Sequence, residues 1–468
     1  MGVPAMAEVE DNGRKMPFVL LLAVGLAQFI VCVDYFAVAV ALPPMAAELG
    51  VRPTDLQWVV TGYVLSSSAL LGIAGALGDR YGRKRLLLLG IVIFALVSIW
   101  VGLGATPSQV ILARVAQGLG AGLVFPLATA VISHASAQRQ LARNLALLTG
   151  IATLGTALGP VLGGVLTESF GWRWIFYANV PISAVAFLMV AIFARESRDP
   201  GATGGLDFIG IFLLVSGIAA FSIGINRIPY WTMPAWIGLT LGGILLLVLF
   251  IWFELRTRVP VIDVRLFANR GFLGFSATGL LSNSAWCSLV LLVTLQLQKV
   301  LGDSALEAGE LFLFLSVSVA TASFIAPAIE RRIGIVTLTR IALVLQFIGI
   351  GLFFFNDSAP WLAAGMLIAG FGCSWGWAMP QAGAIRIIPR DKAGVASGSV
   401  LTLVIVAGNT AVVTAAMIVD LYPDDVAGVA RGIHVAFLCS ALVALLGLVS
   451  AMVFLRNDDR FLRTAEGD

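Results

Sequence analysis

The sequence predicts an all-α, polytopic membrane protein with fourteen spans, and three observations carry that reading. Of 468 residues, 59% are hydrophobic and only 12% are charged. A soluble domain carries about 25% charged residues, and a chain this apolar lacks the polar surface to cover itself. Apolar runs of about 20 residues, each long enough to cross ~30 Å of hydrocarbon, recur from one end to the other. Charged residues gather in short clusters between those runs. Lipid offers no partner to an unpaired backbone group, so helices are the only form such runs can take.

The spans read as 17–42, 55–78, 86–104, 108–133, 144–168, 173–194, 207–226, 233–255, 271–298, 305–328, 335–355, 359–380, 393–421 and 433–455. The residues before Pro17 are polar and mixed in charge. The run from Pro17 to Leu42 is too long for a signal-peptide core and lacks a small-residue cleavage site, so it is expected to stay as the first span. The longest runs are expected to tilt or to extend past the bilayer. With the N-terminus placed inside, 23 of the 29 Lys and Arg fall on the inner side. Only Arg52, Arg173, Arg227, Lys299 and Arg431 fall outside, and Arg114 lies within a span. The positive-inside rule therefore places both termini in the cytoplasm.

Spans 1–6 end in a polar stretch, Arg195 to Leu206, and spans 7 and 8 follow with few polar groups. A basic amphipathic segment, Thr257 to Arg270, then leads into spans 9–14 and reads most simply as a helix lying on the membrane surface. The expected organisation is residues 1–206 as a first six-helix bundle and 207–256 as an inserted pair. Residues 257–468 then form the interfacial segment, a second six-helix bundle and a tail. Two six-span halves suit a repeat-built transporter, whose substrate site lies near the midplane between them.

The net charge of +3 says little about partners, and the scattered basic clusters give no footprint for nucleic acid. Cys32, Cys287, Cys373 and Cys439 all lie inside apolar runs without CxxC spacing, so they read as small hydrophobes and not as metal or redox groups. His134 and His434 fall at span ends. No HExxH, nucleotide loop or Ser/His/Asp arrangement is present, so neither an enzyme nor a cofactor is expected. A non-transporting sensor is a second rival class. Arginine outnumbers lysine 25 to 4 and Ala and Gly are abundant, as in high-GC bacterial genomes. The expected setting is a bacterial cytoplasmic (inner) membrane, with lipid, a small-molecule substrate and protons as partners of a monomer.

Four stretches carry mechanism. Between spans 2 and 3 stands GALGDRYGRKR, with Gly75, Gly78, Asp79, Arg80, Gly82, Arg83 and Lys84 at its fixed points. Small residues at Gly75 and Gly78 let another helix approach, and Asp79 with the basic cluster can form a charge network at the cytoplasmic mouth. An ordinary positive-inside loop explains the basic residues but not the glycines or Asp79. Span 4 carries Arg114 and Gln117 in RVAQGLGAG. An arginine this deep costs several kcal/mol unless paired, which marks a functional site. Span 5 carries GTALGPVLGG, in which Gly155, Gly159 and Gly163 recur every fourth residue and form one smooth stripe. Pro160 allows a bend there, and Gly164 follows the stripe.

Span 1 holds Asp34, nine residues before Pro43. On an outward-running helix that places it ~13 Å from the outer end, and Arg114 on the inward-running span 4 lies ~10 Å from the same face. Burial favours the protonated carboxyl and a nearby guanidinium the ionised one, so the site is one that a conformational change can switch. A purely structural ion pair is the alternative. Glu310, a turn into span 10, is open to two readings: a second proton or cation site, or an interfacial acid at the outer rim. Tyr35, Gln117, Asn283, Trp286, Trp375, Trp377, Gln381 and Asn409 are candidates to line a cavity, with interfacial or packing roles equally open for the tryptophans.

These stretches resemble a known family. The loop is similar to the major facilitator superfamily signature G-x-L-A-D-R-x-G-R-K, with Gly78 where that pattern has Ala. In the family this network latches the cytoplasmic side and breaks as the protein alternates. The span-4 run resembles the family motif whose arginine is linked to proton transfer. GTALGPVLGG matches the antiporter motif G-x-x-x-G-P-x-x-G-G at every fixed position, which favours export. VDYFAVAVALP resembles the span-1 motif L-D-x-T-I-V-N-V-A-L-P of the fourteen-helix drug:proton antiporters, with Phe36 and Ala39 replacing Thr and Asn. Trp172 to Pro181 and Gln296 to Gly302 add further likeness, whereas Glu330 to Gly334 is a degenerate second copy of the loop. The resemblance implies the major facilitator fold: two six-helix bundles plus two inserted helices. It also implies a proton-coupled antiporter exporting small amphipathic or cationic compounds. Export of an endogenous metabolite, antibiotic or lipid is the alternative.

Overall fold

The computed structural model describes residues 17–52, 56–136, 138–198, 207–228, 231–257, 264–355, 358–388, 393–423 and 425–455. Among the described residues the chain is helical throughout. The first half comprises α1 (Phe18–Leu49), α2 (Gln57–Tyr81), α3 (Arg83–Leu103), α4 (Pro107–Ala135), α5 (Gln138–Phe170) and α6 (Arg173–Phe193). The pair α7 (Phe208–Asn226) and α8 (Met233–Glu254) follows. The second half comprises α9 (Arg270–Leu295), α10 (Ala305–Ile333), α11 (Ile335–Phe355), α12 (Ala359–Ile387), α13 (Ala393–Asp420) and α14 (Val426–Phe454). Over their described residues twelve of these helices are long and apolar enough to cross a membrane, or thirteen when the two bent pieces of α5 are taken as one span. α2 is not among the twelve, several of its side chains lying outside the described residues.

Local chemistry sets the helix ends. Pro107 occupies the first turn of α4, where its missing N–H costs nothing, and Thr106 caps that turn by accepting from the Gln109 amide. Ser304 and Glu307 bond each other's backbone amides at 3.2 and 2.8 Å, so α10 begins on a reciprocal capping box. Gly50, at φ 67°, ends α1 in the left-handed region. α1 runs seven residues beyond the sequence expectation, through Pro43 and Pro44, because Met45 and Ala46 are buried and hold the last turn in the bundle.

The two halves repeat one packing scheme. In the first, α1 packs on α5 and α6, α4 on α2 and α3, and α3 on α6. In the second, α9 packs on α13 and α14, α12 on α10 and α11, and α11 on α14. The halves meet mainly through α5 against α10 and α2 against α13, which are equivalent contacts if α1–α6 correspond to α9–α14. α7 and α8 pair with each other, and α7 touches α2 and α13 beside the seam.

The basic segment after α8 is described only in part. Its described part is a short 3-10 turn, Val264–Ala268, and not an amphipathic helix. Leu266 is buried, and the Phe267 ring meets Phe272 at 5.0 Å, so these apolar side chains find protein partners instead of lipid. Residues 258–263 of the segment, and 199–206 of the linker before α7, lie outside the described residues.

Core packing differs between the two ends of the bundle. At the end carrying Glu48 a single apolar core joins both halves, with Val40, Leu42 and Val59 packed among the same cluster as Leu292, Phe312 and Val412. At the end carrying the Asp79 loop the core splits in two. One part holds Leu87, Leu127 and Val190 of the first half, and the other holds Phe275, Leu338 and Met379 of the second. The Glu48 end is therefore closed by apolar packing, whereas at the loop end the described clusters of the two halves are separate and meet beside α7, where Leu70 and Leu77 share a cluster with Phe267 and Val406.

Candidate functional site

The Asp34 and Arg114 side chains, placed by sequence at one depth, form a fully buried ion pair at 2.5 Å. Every hydrogen bond given to that pair comes from the first half. Asp34 Oδ1 accepts from Asn179 Nδ2 at 2.6 Å and from Gln117 Nε2 at 3.2 Å, while Arg114 Nη1 serves Oδ2. Arg114 also donates from Nε to the Val59 carbonyl at 3.0 Å and from Nη1 to Gln117 Oε1 at 2.6 Å. Ser98 Oγ accepts from Gln117 and Asn179, at 2.7 and 3.3 Å. Five helices thus contribute to one buried cluster, α1, α2, α3, α4 and α6, with α4 and α6 bonding the carboxylate itself. Two carbon rings flank the guanidinium, Tyr63 at 4.0 Å and Phe176 at 5.6 Å, and Arg114 Nη2 has no hydrogen-bond partner. Such a pair is held in place yet incompletely satisfied, so a shift of one helix changes its balance.

Tyr35 and Phe36 follow Asp34 on α1 and reach the other half. Tyr35 stacks on Tyr63 at 6.2 Å, and its hydroxyl lies 3.9 Å from the Cys287 thiol of α9. Phe36 stacks on Trp286 at 6.0 Å, and Trp286 meets Trp377 of α12 edge-on at 6.3 Å. Of the cavity candidates, Tyr35, Trp286 and Trp377 therefore come together at the seam. Gln117 does not join them, because its amide is spent in the charge cluster. Asn283 donates to the Val404 carbonyl at 2.8 Å and Trp375 to the Ala322 carbonyl at 2.8 Å, so both are tied within the second half. Gln381 Nε2 is buried without a partner. The Asn409 side chain lies outside the described residues. Glu310 is exposed on α10 and is not part of the Asp34 network.

The glycine stripe of α5 is a docking face for α1. A Cβ at Gly155 would stand 2.5 Å from the Phe29 carbonyl oxygen, one at Gly159 3.0 Å from that of Val33, and one at Gly163 2.7 Å from Ala37 Cα. Pro160 and Gly164 serve the other neighbour, since a Cβ at Gly309 of α10 would lie 3.4 Å from each. One motif therefore lets α5 touch its own half and the opposite half at backbone distance. The two pieces of α5, Gly150–Thr156 and Leu158–Phe170, are bent by 40°, beside Pro160.

The loop between α2 and α3 is tied within its own half. Asp79 pairs with Arg83 at 2.7 Å, and Lys84 Nζ donates to the Ala191 carbonyl of α6 at 2.6 Å. Gly82 holds φ 112°, and a Cβ there would meet the Glu196 carboxylate at 2.8 Å. That carboxylate accepts from the backbone amides of Lys84 and Arg85, both at 3.1 Å, and so caps the N-terminus of α3. Arg80 is exposed, its guanidinium over Tyr81. Gly78 lies against Leu127 of α4. At Gly75 a Cβ would meet nothing within 4 Å among the described residues.

Sequence reasoning missed Ser98, Tyr63, Asn179 and Glu196. Asn179 stood in a stretch noted only for likeness, although an amide in an apolar span was itself a signal. The other three depend on contacts far apart in the chain.

The Major Facilitator Superfamily profile matches residues 24–408. The chain is 32% identical over 390 residues to the multidrug resistance protein Stp of Mycobacterium tuberculosis (strain CDC 1551 / Oshkosh), covering 82% of this chain and 72% of that protein. It is 35% identical over 288 residues to the cephamycin export protein CmcT of Amycolatopsis lactamdurans, covering 60% and 59%. Among solved structures it is similar to a bacterial homolog of the human lysosomal transporter Spinster, with TM-score 0.65 and 16% identity over 94% of this chain and 98% of that one. That likeness concerns the fold. Profile, relatives and architecture agree, and the chain belongs to the major facilitator superfamily.

Proposed function

We propose that this polytopic membrane transporter is a proton-coupled exporter of small amphipathic compounds, working by alternating access in a bacterial inner membrane. The observation that carries the reading is the Asp34 carboxylate, completely buried and shared among Arg114, Gln117 and Asn179. It precedes the two rings of α1 that touch the opposite half. A proton taken by Asp34 cancels the charge that holds Arg114, and the freed guanidinium must find other acceptors or move its helix. Asp34 is thus the one group placed to sense both a proton and the relation of the halves.

The reading assigns the Asp79 loop to the cytoplasm, with both termini on that side, fourteen crossings and a monomer. The structure then has its outer end closed. Named efflux relatives support export, and the cephamycin exporter supports a second reading in which the cargo is an endogenous antibiotic. No cofactor enters either scheme. The test is uptake by inverted vesicles or proteoliposomes under an imposed pH gradient, with proton release followed by an internal dye. Substrate-dependent proton movement is expected in wild type and absent in Asp34→Asn, with a residue of activity in Asp34→Glu. Full activity of Asp34→Asn sinks the coupling scheme.

A further inference from the structure

We propose that the cargo is a neutral aromatic compound bearing a hydrogen-bond acceptor, seated against Tyr35, Phe36, Trp286 and Trp377 with its acceptor toward Gln381. This proposal rests on the exporter reading and narrows it. The four rings come from α1 of one half and from α9 and α12 of the other, and Tyr35, Phe36 and Trp377 each keep part of their surface uncovered. Gln381 follows Trp377 by four residues, so it shares that face of α12, one turn toward the loop end. Its amide Nε2 is buried and has no hydrogen-bond partner. A buried donor left unpaired is costly, and a carbonyl or nitro oxygen of a ligand would satisfy it.

The charge of the cargo follows from what the seam lacks. The small apolar cavity beside Tyr35 and Phe36, which neither tryptophan lines, is walled by aliphatic side chains from Ala39 to Val412 and by Cys287, with no acid among them. Both oxygens of Asp34 are already occupied. Glu310 is exposed, Glu330 is paired with Arg386, and Glu48 is paired with Arg173. Nothing in the described seam offers a counter-ion to a cationic compound. When Asp34 takes its proton, the local charge becomes that of Arg114 alone, which repels a cation further.

Aromatic rings can themselves attract cations, which is the strongest argument against a neutral cargo. Here the ring faces are largely taken. Tyr63 carries the Arg114 guanidinium at 4.0 Å and stacks with Tyr35, and the Phe36 face lies on Trp286. A planar neutral ring can intercalate at the edge of this set, stacking as the rings already do.

The test uses the full chain, both in proteoliposomes and in detergent solution. The probes are radiolabelled chloramphenicol, a neutral nitrophenyl amide, and the monovalent cations ethidium and tetraphenylphosphonium. Under a pH gradient the cations are expected to move at less than about one-tenth the rate of chloramphenicol, after correction for passive leak. Trp377→Leu and Gln381→Leu are each expected to raise KM for chloramphenicol about tenfold, and Trp377→Phe to restore most of it. Equilibrium dialysis separates the two readings. Chloramphenicol binding that is lost in Trp377→Leu, with no gradient-driven flux, overturns export and keeps the site. Cation binding or flux equal to that of chloramphenicol overturns the neutral cargo and keeps export. No binding of chloramphenicol at all overturns the proposal.

Discussion

Asp34→Asn separates a coupling site from a structural ion pair when it is read beside Arg114→Gln and the double variant. The pair is fully buried, and among the described residues Arg114 has the Val59 carbonyl and Gln117 Oε1 as its other acceptors. Removing the carboxylate charge leaves the guanidinium buried without compensation, which costs about 3–5 kcal/mol. Arg114→Gln is milder, because Asp34 keeps Asn179 and Gln117 as hydrogen-bond donors. In the double variant neither charge remains, and about 2 kcal/mol or more of the Asp34→Asn loss should return. Unfolding by SDS titration in mixed micelles measures the stability cycle, and gradient-driven flux in liposomes measures function. Recovered stability with flux still absent is the expected pair of results. A double variant that transports at the wild-type rate would refute the reasoning, since the pair would then serve packing alone. A single Asp34→Asn as stable as wild type would show instead that the buried charge is not where the structure puts it.

The remaining predictions concern gating and orientation. Gly155→Leu, which forces a side chain toward Phe29 and Cys32, is expected to abolish flux while keeping equilibrium binding of cargo in dialysis; retained flux would show the α1–α5 contact to be decorative. Glu196→Ala removes the cap of α3 and is expected to lower stability by about 1 kcal/mol in the same micelle titration, with Glu196→Gln falling between. Asp79→Asn is expected to cost less than about 1 kcal/mol, because its pair with Arg83 is partly exposed, yet to impair transport; unchanged flux removes the loop from the gate. A reporter active only in the cytoplasm should give signal when fused after Thr203 and none after Asp357, and reversed signals would invert the topology.

The parts legible in the sequence were those set by local periodicity. The rise of a helix fixed the common depth of Asp34 and Arg114, and the fourfold spacing of Gly155, Gly159 and Gly163 fixed a smooth face. What each face meets was not legible. Gly155, Gly159 and Gly163 turn to α1 while Pro160 and Gly164 turn to α10, a division that depends on where two other helices stand. Ser98 looked like any hydroxyl in an apolar run, and only the arrival of Gln117 and Asn179 makes it part of the site. Glu196 caps a helix more than a hundred residues upstream, a partner no local pattern encodes. For the segment after α8, amphipathicity states that an apolar face needs cover and is silent on whether lipid or protein supplies it.

The geometry places the burden of coupling on α1. Among the described residues the hydrogen bonds of the Asp34–Arg114 pair all lie within the first half, so a proton there acts on the second half through α1. α1 nonetheless meets three surfaces within one stretch: the charge cluster through Asp34, the opposite half through Tyr35 and Phe36, and the glycine face of α5 through Val33 and Ala37. A helix lying on a face without side chains can turn or slide at little steric cost, whereas interlocked side chains would resist. Turning α1 to release Asp34 from Arg114 necessarily carries Phe36 off Trp286 and Tyr35 off Cys287. Proton binding and separation of the halves then become one motion, and filling the α5 face with leucine at Gly155, against Phe29 and Cys32, should stop it while leaving the rings that bind cargo in place.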